Sequence, residues 1–279
     1  MGVTMDWLEG KSLEALLQET QAQVKREPGL AKHRVFLFQL LAVLGEWDRA
    51  LTQLNLIGEM DASALPMVHT YRQALAAEAM RPSVFSGERL PLVFGKPERW
   101  IALCLEALRL GAEGKRVEAK ALRSEAFEAA PLTPGSCSEP AVDDFAWIAD
   151  ADERLGPMTE AIIDGKYYWV PFSRLESLTL EAPADLRDLV WMPAYFRWTN
   201  GGESAGLIPT RYPGSEHNPD DRVRIAARTE WVDLGDETFE GLGQRLLVTD
   251  TAELALMDIR QLTMQGRADD APAGPTTSP

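Results

Sequence analysis

Apolar positions along this chain keep two rhythms. In the first half, Leu13, Leu16, Leu17 and Val24 recur at helical spacing within a stretch from Leu8 to Val24, and Pro28-Gly29 stops the pattern. A second helix is predicted from Ala31 to Leu44. Its Val35, Phe36, Phe38, Leu40 and Leu41 exceed one buried stripe and require packing on two sides. Gly45 ends it, and Glu46-Trp47-Asp48-Arg49-Ala50-Leu51 opens a third helix that turns Leu54 and Ile57 inward and closes near Met60-Asp61. A further helical segment, Ala64 to Met80, is expected to be cut short by Arg81-Pro82, because proline lacks the backbone donor that a helix interior needs. The Gly- and Pro-rich stretch Val84 to Pro97 then reads as a long connection.

The run Leu44 to Leu51 has the form of the turn and second helix of a tetratricopeptide repeat: a glycine turn, an aromatic, then a small residue. Gly114, Arg116, Ala119, Ala126 and Pro131 lie 69 residues beyond Gly45, Trp47, Ala50, Ile57 and Ala62. That offset is about two repeats of ~34 residues. Such arrays have a concave face in which an amphipathic helix or an extended peptide can lie. Arg34, His69 and Tyr71, polar or amphipathic members of apolar helices, are candidates for lining it together with Phe38. The competing reading is that these helices only form a scaffold.

Near Pro140 the helical rhythm gives way to shorter apolar runs separated by Gly, Pro and Asp. A short helix is expected at Met158 to Ile163, terminated by Asp164-Gly165, followed by strands at Lys166 to Phe172 and Ser177 to Leu180. Ala194 to Thr199 and Glu203 to Thr210 flank Asn200-Gly201-Gly202, a hairpin signal because these residues accept the positive φ of a tight turn. More strands are expected at Thr229 to Leu234, Gln244 to Thr249 and Leu254 to Leu262. Many strands without long βαβ crossovers predict an α+β fold. Residues 1–140 are expected to form a tetratricopeptide-like helical domain, 141–265 a mainly antiparallel β-sheet domain with short helices, and 266–279 a disordered tail.

Charge sharpens this division. The chain of 279 residues carries a net charge of −15, with 16 Lys+Arg against 18 Asp+Glu up to Pro140 and 12 against 25 beyond it. The second part also holds five of eight Trp and four of five Tyr. A pI near 4.7 disfavours nucleic acid and anionic lipid as partners and favours basic protein surfaces. Cys104 and Cys137 form neither a disulfide framework nor a metal-binding spacing. No run approaches ~18 apolar residues, no secretory leader pattern opens the chain, and Asp6 stands where a lipidation signal needs Ser or Thr, so a cytoplasmic location is expected.

Chemistry-bearing patterns are sparse. His33, His69 and His217 have no metal-ligand spacing, there is no phosphate loop, and Gly214-Ser215 lacks the strand-to-helix Gly-x-Ser-x-Gly of a nucleophile elbow. No cofactor and no metal is expected. Asp150, Asp152 and Glu153 form the densest carboxylate cluster; they fit a metal-dependent hydrolase that would also use Arg211, or helix capping and pairing with Arg154. Asp185 and Asp188 offer the same choice, with an ion pair to an arginine such as Arg211 favoured. Trp147, Tyr167, Trp169, Trp191 and Trp231 are expected to close the inner face of a small sheet. Tyr168, Arg211 and Tyr212 are the candidates for a partner surface, since Tyr, Trp and Arg dominate interface energetics.

Six stretches in order carry a family resemblance: Trp147 to Pro157, Gly165 to Phe172, Asp185 to Trp191, Asn200 to Gly202, Ile208 to Ser215 and Gly241 to Arg245. Together they resemble the ImpE/TagJ, or SciE-type, family of accessory proteins of bacterial type VI secretion, over roughly Leu8 to Leu262. The resemblance implies a non-enzymatic cytoplasmic adaptor. It also implies, as partner, the small contractile-sheath subunit (TssB-like), bound through an α-helix, with a link to sheath handling by the ClpV-type ATPase. Two other classes stay open: the hydrolase built on Asp150 and Asp152, and a general peptide-binding helical-repeat protein.

Overall fold

The computed structural model describes residues 10–96 and 98–265. The expected tail 266–279, the Leu8 start of the first helix and the Pro97 end of the long connection lie outside them. Six helices come first: α1 (Leu13–Arg26), α2 (Ala31–Val43), α3 (Trp47–Met60), α4 (Leu65–Phe85), α5 (Arg99–Ala112) and α6 (Arg116–Ala129). Neighbours pack as pairs, α1 with α2, α2 with α3, α3 with α4, and α5 with α6. Gly45 and Gly114, the glycines of the 69-residue offset, occupy the same place after α2 and α5 with φ of +73° and +80°. That left-handed conformation closes a helix and costs glycine nothing.

Helix α4 runs through Arg81-Pro82 to Phe85 and does not stop at Met80. The missing Pro82 donor is outweighed by tertiary contacts: Arg81 ion-pairs with Glu78 and Glu160 at 2.9 and 2.7 Å, which holds this turn against the sheet. The connection after α4 contains the two-residue strand β1 (Leu92–Val93).

The strands that follow are β2 (Gly135–Glu139), β3 (Val142–Phe145), β4 (Ile148–Asp150), β5 (Met158–Ile163), β6 (Lys166–Pro171), β7 (Leu175–Leu180), β8 (Trp191–Trp198) and β9 (Glu203–Pro209). After the short helix α7 (Asp221–Arg224) come β10 (Thr229–Gly235), β11 (Thr238–Gly243), β12 (Leu246–Thr249), β13 (Glu253–Ala255) and β14 (Gln261–Met264). Nine strands form one sheet in the order β1-β6-β5-β9-β8-β7-β14-β2-β3; β10-β11 is a separate ribbon, and β13-β12-β4 a small third sheet. Every pairing between strands is antiparallel except β1 with β6. The fold is therefore α+β, helices first. The change of character at Pro140 falls in the turn between β2 and β3, and one apolar core runs continuously from the helices into the sheet.

Met158–Ile163, expected as a helix, is the inner strand β5, with all six residues buried. Asp164-Gly165 is the two-residue turn of the β5-β6 hairpin, both residues at positive φ (48° and 73°), and not a helix terminator. The Asn200-Gly201 turn between β8 and β9 forms as expected.

Candidate functional site

Where α4 meets the sheets, the interior is ionic. Arg81 from α4 and Arg245 from the β11-β12 connection both donate to Glu160 of β5, at 2.7 to 2.9 Å. Arg245 also donates twice to Asp150 of β4, at 3.1 and 2.5 Å, and the Tyr212 hydroxyl donates to the same carboxylate at 2.9 Å. Glu78 accepts from Arg81 and from the Trp191 indole N–H, while the Tyr167 hydroxyl donates to Glu160 and accepts from the Trp169 indole. Asp152, fully buried, pairs with Arg154 at 2.6 Å and accepts the Gly241 backbone N–H. All these charged side chains except Arg154 are at most 6% exposed. Each has a partner, as burial of a charge requires.

Burial and pairing compete at each carboxylate. Burial pushes Asp150 up to about 6 despite Arg245. It pushes Glu78 up as well. At Glu160 burial also acts upward, but Arg81 and Arg245 together outweigh it and hold the carboxyl below the usual range. Burial pushes the Cys104 thiol up to about 12. Asp150 and Asp152 thus have their acceptor sites filled by protein donors, and among the described residues no group of three His, Cys, Asp or Glu is placed to hold a metal ion.

The expected partner surface divides. Phe38, Tyr71, Arg211 and Tyr212 are interior and offer a partner nothing to touch. Phe38 and Tyr71 pack ring to ring at 5.6 Å, and Tyr71 continues to Trp191 at 5.8 Å. Arg211 donates to the carbonyls of Val43 and Arg224, which ties the end of α2 to α7. Its expected pairing with Asp185 or Asp188 is made instead by Arg187. The Tyr212 ring fills the space beside Gly241, where a Cβ would stand 2.4 Å from it. Arg34 is half-buried and bonded to Gln53, His69 is exposed beside Gln73, and Tyr168 is half-buried with its ring edge-on to Phe94. The structure does not bring these three together with the others into one groove.

What lies outside is an aromatic face that the sequence reading assigned to the core. Tyr167, Trp169 and Trp191 are interior as expected, but Trp147 is 37% and Trp231 40% exposed, and Phe239 is 43% exposed. Trp147 and Leu132 border an apolar depression of about 310 Å³ floored by Phe127, Ile148 and Ala149. Trp231 and Phe239 border a second one, of about 350 Å³, with Ala151 and Glu153. Strand β4 and the turn after it link the two. Acidic side chains accompany the patch: Asp233 stands opposite Phe239 in the β10-β11 register, Glu153, paired with Arg123, borders the second depression, and Asp143 and Asp144 are exposed on the strand before Trp147.

Comparison with known proteins places this architecture. The family model described as ImpE protein matches residues 143–263. The type VI secretion system accessory component TagJ of Pseudomonas aeruginosa is 49% identical over 263 residues, which is 94% of this chain and 91% of that protein. The crystal structure of protein VPA1032 from Vibrio parahaemolyticus superposes with a TM-score of 0.83 over 95% of this chain and 98% of its own, at 22% identity, a likeness of fold.

Proposed function

The chain belongs to the ImpE/TagJ family of type VI secretion accessory components, and from that premise we propose that it is a non-enzymatic cytoplasmic adaptor. Its partner in this reading is an α-helix of the small contractile-sheath subunit (TssB-like), and through that subunit the adaptor connects to sheath handling by the ClpV-type ATPase. The observation that carries the proposal is the inverted polarity around β4: the charged groups that chemistry would use are paired inside, while large aromatic side chains stand outside. An apolar face of this kind marks a protein interaction site.

We assign the docking surface to the two depressions bordered by Trp147 and Leu132 and by Trp231 and Phe239. One face of an amphipathic helix fills such a groove through residues at i, i+3, i+4 and i+7. With a net charge of −15, and Asp143, Asp144, Asp233 and Glu153 nearby, the surface favours a helix flanked by Lys and Arg. No helix among the described residues is long and apolar enough to cross a membrane.

Calorimetric titration of the full chain with the purified small sheath subunit, and with its helical fragments, tests the assignment. Binding at micromolar Kd, about −8 kcal/mol, is expected for one fragment. Absence of binding at ~100 μM sinks the adaptor reading. Binding that is unchanged in the Trp147→Ser and Phe239→Ser variants keeps that reading and removes the site.

A further inference from the structure

Strand β11 presents Phe239 to the aromatic face and, by alternation, Thr238 and Glu240 to the opposite side. There a third pocket, of about 120 Å³, opens between the ribbon and helices α4, α5 and α6. Phe85, Leu108, Ala119 and Leu234 make its walls apolar. Three guanidiniums also line it. Two of them are committed: Arg154 to Asp152 and Glu240, and Arg123 to Glu153. Arg116 has no ion pair or hydrogen bond among the described residues, and it lies at the end of the ribbon, 3.3 Å from where a Cβ on Gly235 would stand.

A second group at that end lacks a partner. Thr238 is directly opposite Gly235 in the register, is 8% exposed, and has a buried hydroxyl with no hydrogen bond. Leaving a buried hydroxyl unpaired is costly, and such groups are otherwise satisfied in folded proteins. The exposed Arg116 and Thr238, with its unsatisfied hydroxyl, thus line one largely apolar pocket at the same end of the ribbon. We propose that this pocket binds a small apolar monocarboxylate, with its hydrocarbon part against Phe85, Leu108 and Leu234 and its carboxylate between Arg116 and Thr238. A cavity of about 150 Å³ holds a benzene-sized guest. This one is open on one side, so a phenyl or branched alkyl group is the right size. Glu240 and the Lys120-paired Glu237 at the ribbon end disfavour a dianion such as phosphate.

The test is titration of the full chain with phenylacetate, followed by backbone amide shifts in NMR. Saturable shifts centred on Ala119, Leu234 and Thr238 are expected. Phenylacetamide, of the same shape without charge, should bind about tenfold more weakly. Arg116 is exposed, so Arg116→Gln leaves the fold intact and should bring phenylacetate down to the affinity of the amide without changing the amide's own. Thr238→Val, which removes the hydroxyl at constant shape, should weaken phenylacetate as well. No saturable shift up to about 10 mM, shifts centred elsewhere, or equal binding of acid and amide would each overturn the proposal. So would ordered water on the Thr238 hydroxyl in a crystal grown with phenylacetate.

Discussion

The two sides of β4 carry opposite chemistry. Toward α4, Asp150 joins Arg245, Glu160, Arg81 and Glu78 in a chain of charges shut away from water. Toward solvent, Trp147, Trp231 and Phe239 each keep more than a third of their surface exposed. The usual distribution of polarity is reversed, and the two reversals have different consequences. A fully paired buried charge cluster adds little net stability over an apolar core, yet removing one member leaves another uncompensated. It fixes how the helices dock on the sheet by penalising every other arrangement. The exposed part of each aromatic adds nothing to the isolated chain; it gains only when a partner covers it.

The largest effect is expected from Glu160→Ala, which deprives Arg81 and Arg245 of their shared acceptor. A loss of about 3–5 kcal/mol in urea unfolding is expected; a loss below about 1 kcal/mol would show that the junction does not lock the helices to the sheet. The second effect is a pH dependence. Folded Asp150, at about 6, holds its proton over a range in which the unfolded carboxyl, near the ordinary 3.8, has lost it. Its contribution to stability is complete below about pH 4 and is lost as pH rises through about 6. The stability margin of the wild type over Asp150→Asn should therefore narrow between those limits, by at most about 3 kcal/mol. A margin that widened would mean that Arg245 outweighs burial.

Third comes Gly241→Ala. The new methyl would stand 2.4 Å from the Tyr212 ring, on a residue whose N–H is held by Asp152. Overpacking of this kind costs about 1–3 kcal/mol. Because Tyr212 backs Trp231 at 5.7 Å, the same variant should also shift the Trp231 fluorescence. Unchanged melting would show that the ribbon moves away without cost.

Much of the architecture was legible in the residues, and the failures have physical causes. The helices and their glycine turns follow from 3.6-residue spacing, and the β8-β9 hairpin from Asn200-Gly201. Strand β5 was not legible, because a strand buried on both faces loses its alternation and its apolar run looks like a helix segment. The correct signal was Asp164-Gly165, a type of pair that closes hairpins as well as helices. The junction was hidden for another reason. Glu160 lies 79 positions from Arg81 and 85 from Arg245, and no local pattern announces a pairing at that range. Arg211-Tyr212 looked like a surface pair at a strand end, but the β11-β12 segment folds over it, with the Tyr212 N–H donating to Gly243. Trp147, in the link between β3 and β4, and Trp231, on the separate β10-β11 ribbon, carry no local signal that distinguishes them from Trp169 and Trp191; only their place in three dimensions does.

The smallest effect isolates the outer face. Trp147 is 37% exposed, and its substitution by serine removes apolar surface that is already partly wet. Because the larger part of its side chain is covered, Trp147→Ser should lower stability by about 1–3 kcal/mol through lost burial, without unfolding the chain. Affinity for the proposed partner helix should fall about tenfold, or 1.4 kcal/mol, with Phe239→Ser at least as severe because its ring is the more exposed. Paired thermal melts and titrations separate the two quantities. If stability falls by more than about 3 kcal/mol, Trp147 is a core residue that happens to be visible from outside. If affinity falls while the chain stays folded at the temperature of the titration, the two sides of β4 do separate work: the charges hold the shape and the aromatics are held ready for a partner.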